Sequence, residues 1–133
     1  RFYQVTVEEV AGAAHGEGMA VGFTIVPLEQ LLEMPGFKAA DEVPKSFTAG
    51  YTGLYFGSGR PRSVAWEPAA LSAGDRIGVL MTPSGDFMIF ENGERVLCVD
   101  TGLGPSVAKK PLFAVVDLLG RVQRVSFDPS AVA

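Results

Sequence analysis

Few side chains in this sequence are equipped to make or break bonds. Among 133 residues there is one histidine, His15, and one cysteine, Cys98. His15 stands in a small-residue, Gly-rich stretch from Ala11 to Gly18. A single His with a single Cys cannot supply the ligand set of a typical zinc site. A general base also needs groups placed to receive and orient its proton, so His15 reads as an incidental surface residue. Cys98 lies between Leu97 and Val99 in a strand-like run. A reactive thiol needs a thiolate-stabilising neighbour; with none in view, Cys98 reads as a buried structural thiol. The serines lack a G-x-S-x-G elbow. Gly57-Ser58-Gly59 is neither that motif nor a phosphate loop, because the Gly-Lys-Ser/Thr ending and the following helix are missing. Glu8-Glu9 and Asp41-Glu42 are neighbouring, solvated carboxylates, whereas glycoside hydrolysis needs two facing each other across a cleft. Asp117 ends an apolar run and is expected to accept backbone hydrogen bonds in a Leu118–Gly120 turn, with a binding role as the alternative. The chain is therefore read as non-catalytic, with no cofactor and no metal.

Recognition chemistry is better represented. Tyr51, Tyr55, Phe56, Arg60 and Arg62 crowd together, interrupted by glycines and Pro61. Tyr and Arg are the types enriched at the energetic centres of interfaces. In a chain of net charge −4, two arginines bracketing a proline are a local positive feature. The competing reading is that Tyr51, Leu54 and Phe56 pack in a core while the arginines are merely solvated. Tyr51, Tyr55, Arg60 and Arg62 are the candidate partner-binding residues, carried on or beside the Gly57–Arg62 loop, with the Gly12–Gly18 loop as an accessory.

The elements that must position them are strands. Gly74 to Phe90 reads as two apolar runs joined by the Thr82-Pro83-Ser84-Gly85 turn, and Asn92-Gly93 follows. Asn-Gly between strand formers is a strong hairpin signal, because a type I′ turn needs positive φ at both central positions. A three-stranded meander thus runs from Asp75 to about Asp100. Before it come Phe2–Val7, with Tyr3, Val5 and Val7 on one face, then Met19–Val26 and Ser46–Phe56, and a short run Ser63–Trp66. Gly22 inside the second run marks a bulge or a close backbone approach. After it come Pro111–Asp117, too apolar to face water on either side, and Arg121–Phe127, with Arg121, Gln123, Val125 and Phe127 on one face and Val122 out of phase. Only Pro27–Met34 has a helical pattern, with Leu28, Leu31 and Leu32 on one face; Phe37–Pro44 reads as a surface loop. Many short strands separated by turns predict an all-β sandwich or barrel with one short helical turn.

Composition limits the function classes. Hydrophobic residues are 47% and charged residues 20%, ordinary for a globular domain able to bury its own core. The acidic balance disfavours nucleic acid and anionic membrane surfaces. No apolar run approaches the roughly 18 residues of a membrane helix, and one cysteine favours a reducing compartment. A single domain over 1–133, cut from a longer cytoplasmic protein, is expected.

Several segments taken together resemble the SPRY superfamily and, within it, the neuralized homology repeat. They are the opening strand Phe2–Val7, the Val21-Gly22-Phe23 strand, the Gly74–Gly93 core GDRIGVLMTPSGDFMIFENG, and the closing Ala114-Val115-Val116-Asp117-Leu118-Leu119-Gly120 with Gln123-Arg124-Val125-Ser126. Leu119 departs from the pattern, where Tyr is usual, and Pro27 to Arg62 matches poorly. The resemblance implies a bent antiparallel β-sandwich of concanavalin A-like type and a protein-interaction role, in which loops at one edge hold a peptide or protein, as in substrate receptors or scaffolds. Two rivals stand beside it: a carbohydrate-binding or hydrolytic sandwich, for which Trp66 is the sole tryptophan platform, and a structural self-assembly domain. The partner and the oligomeric state are left open.

Overall fold

The computed structural model describes residues 1–11, 18–34, 36–57, 61–118 and 120–131. Among the described residues the backbone forms ten strands: β1 (Phe2–Val10), β2 (Ala20–Thr24), β3 (Ser46–Gly50), β4 (Leu54–Phe56), β5 (Arg62–Ser63), β6 (Arg76–Met81), β7 (Asp86–Glu91), β8 (Glu94–Asp100), β9 (Phe113–Asp117) and β10 (Val122–Phe127). They make two antiparallel five-stranded sheets, ordered β10-β1-β6-β7-β8 and β5-β4-β3-β2-β9. The meander is β6, β7 and β8. Its second turn has φ of 53° at Asn92 and 85° at Gly93, the left-handed pair the Asn-Gly dipeptide predicts. The Asn92 side-chain oxygen accepts from the Arg76 N–H at 2.9 Å, tying the turn to the start of β6.

Period-two alternation builds the core. Tyr3, Val5 and Val7 of β1 point inward with Ile77, Val79 and Met81 of β6 and with Phe87 and Ile89 of β7. Val21, Phe23, Phe47, Ala49 and Tyr55 meet them from the other sheet. Each such large side chain removed from water contributes on the order of 1.5–3 kcal/mol. A line of rings crosses the interior: Tyr3 to Phe23 at 5.3 Å, Phe23 to Phe87 at 6.5 Å, and Phe87 to Tyr55 at 5.7 Å between centroids. Gly22 is a close approach, as its place in the strand predicts. A Cβ there would lie 1.8 Å from the Phe47 carbonyl oxygen, and the Tyr3 hydroxyl reaches across the sandwich to the Gly22 backbone.

Five expectations are corrected. Cys98 is exposed, because β8 alternates and Leu97 and Val99 take the inward positions. β9 is an edge strand with partly exposed residues rather than a strand buried on both faces. Val122 is fully buried; two register shifts in the β1–β10 pairing, one leaving Glu8 and the other Gln123 unmatched, bring it opposite Val10. Helix α1 is shorter than Pro27–Met34, spanning Leu28–Leu32 with Pro27 as its N-cap, and it buries none of its residues. The 37–44 segment is more than a surface loop: its short 3₁₀ turn, Ala40–Glu42, buries Ala40 against the outer face of the second sheet.

Candidate functional site

Of the four residues singled out for partner binding, three are described, and Tyr51 lies apart from Tyr55 and Arg62. Tyr55 is on the inward face of β4, 3% exposed, packed on Phe87. Tyr51, 6% exposed, belongs to a separate small cluster with Ala20 and Ala40 on the outer face of the same sheet. Both rings are interior, so the contact area expected of them is spent on packing. Arg60 lies outside the described residues, as do His15, most of the Gly12–Gly18 loop and Leu119. Arg62 is exposed on β5.

Tyr51 anchors a polar knot. It holds φ of 57°, a left-handed conformation uncommon for a bulky residue. Its hydroxyl donates to the Asp117 carboxylate. The Ala40 N–H reaches both groups, 2.8 Å from the hydroxyl and 2.9 Å from Asp117 Oδ2. Asp117 thus accepts from two distant segments rather than only from the turn that follows it. Burial pushes the Tyr51 hydroxyl above its ordinary range, and the carboxylate beside it adds to the shift.

Arg62 is the one predicted residue in the described structure that presents chemistry outward. Pairing of Tyr55 with Arg62 across β4 and β5 sets its guanidinium 5.2 Å above the Tyr55 ring. Such a stack restrains the cation and leaves its N–H donors exposed. The Tyr55 hydroxyl, raised in pKa by burial and lowered by Arg62, has no hydrogen-bond partner among the described residues. A cleft of about 390 Å³ opens beside Gly57, lined by Lys45, Phe47, Phe56 and Leu103 among others. Lys45, at φ 51°, is another non-glycine residue in the left-handed region. The arrangement presents guanidinium donors to hydrogen-bond acceptors. Among the described residues no cluster of His, Cys, Asp and Glu is placed to hold a metal. Trp66 is 3% exposed, which removes it as a sugar platform.

A larger feature escaped the sequence reading. A groove of about 750 Å³ runs along β9 between α1 and the end of β10, walled by Leu28, Leu32, Phe37 and Phe127. Its signals were present: a helix whose leucines share one face, and a strand too apolar for an edge. No described helix is long and apolar enough to cross a membrane.

The family model described as Neuralized matches residues 1–128. No curated protein matches the sequence. Among solved structures, the neuralized-NHR1 domain of Drosophila melanogaster is similar with a TM-score of 0.66 at 17% identity, over 98% of this chain and 73% of that one. At that identity the likeness shows the shared sandwich, while the family match extends across nearly the whole sequence. The chain belongs to the Neuralized family, whose β-sandwich is a protein-interaction fold.

Proposed function

We propose that this domain is a non-catalytic recognition module that holds a peptide or protein through the edge loop 57–62, as a substrate-receptor or scaffold part of a larger protein. The observation that supports it is the Arg62 guanidinium, exposed yet stacked on the buried Tyr55 ring. A fixed cation at a loop end makes charge-assisted hydrogen bonds at low ordering cost. Arg60 extends the same positive feature in sequence. Tyr55 acts through Arg62 and Tyr51 acts by bracing the 36–45 segment; neither touches the partner directly. The exposed, unpaired Cys98 favours a reducing, cytoplasmic setting.

The double change Arg60→Glu plus Arg62→Glu is expected to weaken partner binding by about 2 kcal/mol or more, the range of interface hot spots. The melting temperature should stay nearly constant, since exposed charges add little to folding. Lys109→Glu plus Lys110→Glu, at two exposed lysines near the end of a 3₁₀ segment, is the control. The partner is first captured by photo-crosslinking from position 57, then titrated against both variants. A larger loss at Lys109 and Lys110 would place the partner elsewhere.

A further inference from the structure

We propose that the groove along β9 receives an extended segment of a partner polypeptide, apolar on both faces and flanked by basic residues, which adds to the sheet as a strand. This surface is separate from the 57–62 loop and does not depend on it.

The two sheets have four edges: β10, β8, β5 and β9. Three are protected in the ways edge strands usually are. β8 carries Glu94, Arg95 and Asp100. β10 carries Gln123 and Arg124, the latter paired with Glu9 at 3.1 Å. β5 is two residues long. β9 reads FAVVD, with no charge before its last residue. It has the edge position of an exposed strand and the composition of a central one.

Its backbone is poised for pairing. The Tyr3 hydroxyl accepts from the Gly22 N–H at 3.0 Å. It lies 2.9 Å from the Gly22 carbonyl oxygen and 3.0 Å from that of Val115, to one of which it donates. The Val115 main chain is therefore turned toward β2. Alternation along an antiparallel strand turns the N–H and C=O of Ala114 and Val116 the other way, into the groove. Neither residue makes a described backbone hydrogen bond on that side. The groove supplies two apolar walls beyond this edge. Phe127, stacked on Tyr3 at 6.2 Å and 59% exposed, stands on the inner side. Leu28 and Leu32, 58% and 76% exposed, stand with Phe37 on the outer side. A strand laid beside β9 would send successive side chains alternately to the two walls, so its matching sequence is a continuous apolar run. Glu29 and Glu33 are exposed on and just after the helix that forms the outer wall, and neither is in an ion pair among the described residues. That charge complements lysine or arginine flanking the run.

The probe is a synthetic peptide carrying the chain's own β2 run, Met19–Val26, between flanking lysines; that run already pairs with β9 from the other side. Saturable binding with new hydrogen-exchange protection at the Ala114 and Val116 amides is the expected result. Ala114→Pro removes one outward donor and should weaken binding about tenfold, the order of one lost hydrogen bond. Should that variant unfold, Leu32→Glu plus Phe127→Glu serves instead, since both side chains are largely outside the core; it too should weaken binding. Glu29→Lys plus Glu33→Lys should weaken binding at low salt and much less at high salt. Arg60→Glu plus Arg62→Glu should leave the peptide affinity unchanged, so this surface and the loop site fail separately. The proposal is overturned by absence of binding, by binding without protection at Ala114 and Val116, or by insensitivity to the wall variants. It is also overturned if the unliganded chain protects the same two amides by dimerising, as sedimentation would reveal, because the occupant would then be a second copy.

Discussion

Tyr51 joins three segments through one hydroxyl: its own turn after β3, the Ala40 backbone and the Asp117 carboxylate. Tyr51→Phe keeps the ring and deletes that oxygen. Leaving buried groups short of a partner costs about 1–3 kcal/mol, so urea unfolding should register a loss of that size; an unchanged midpoint would mean the knot contributes nothing. Little of this was legible in the sequence. Phe47 and Ala49 point into the core, and continued alternation would send Tyr51 there too. Positive φ at Gly50 and Tyr51 instead turns the ring to the opposite face. Nearness along the chain placed Tyr51, Tyr55 and Arg62 in one group, but the face each takes depends on a local backbone reversal that residue types alone do not specify. The exposure of Arg62 was legible because an arginine next to a proline in a glycine-rich stretch needs no tertiary information to be placed at the surface.

Among the elements, the meander was the most legible, since each of its turns carries its own chemistry. At Gly93 a Cβ would meet nothing within 4 Å, so space is no obstacle there; the left-handed φ of 85° is. Gly93→Val is therefore expected to destabilise by more than about 1 kcal/mol through backbone strain alone. A melting curve superimposable on the parent's would show that the turn relaxes at no cost. Where the sequence misled, tertiary partners decided. A hydrophobic run says that a strand is covered but not by what, so β9 was expected to be buried on both faces and is instead a partly exposed edge strand. The burial pattern of β10 depends on register shifts in its pairing with β1, a strand far away in the sequence.

Across the whole molecule, all three tyrosines are buried, and in each burial raises the hydroxyl pKa. A group whose proton is held more tightly in the folded state contributes stability that is complete below the unfolded pKa, about 10 for tyrosine, and declines as pH rises beyond it. Melting temperature should thus fall as pH rises above about 10. Tyr3→Phe should flatten that descent while lowering stability at pH 7. A Tyr3→Phe profile parallel to the parent's would remove Tyr3 as a contributor. The sheet order carries a different consequence, one of timing. β1 pairs with β10, matching Val5 to Phe127, so the first strand made must wait for the last. During synthesis β1 has no sheet partner until β6 is made, and its β10 side stays unpaired until residue 127 is free of the ribosome. Pairings so distant in sequence form slowly and leave a nascent chain open to wrong partners. Between the completion of β8 and that of β10, then, this sheet is one strand short, and chaperone demand should peak in that interval.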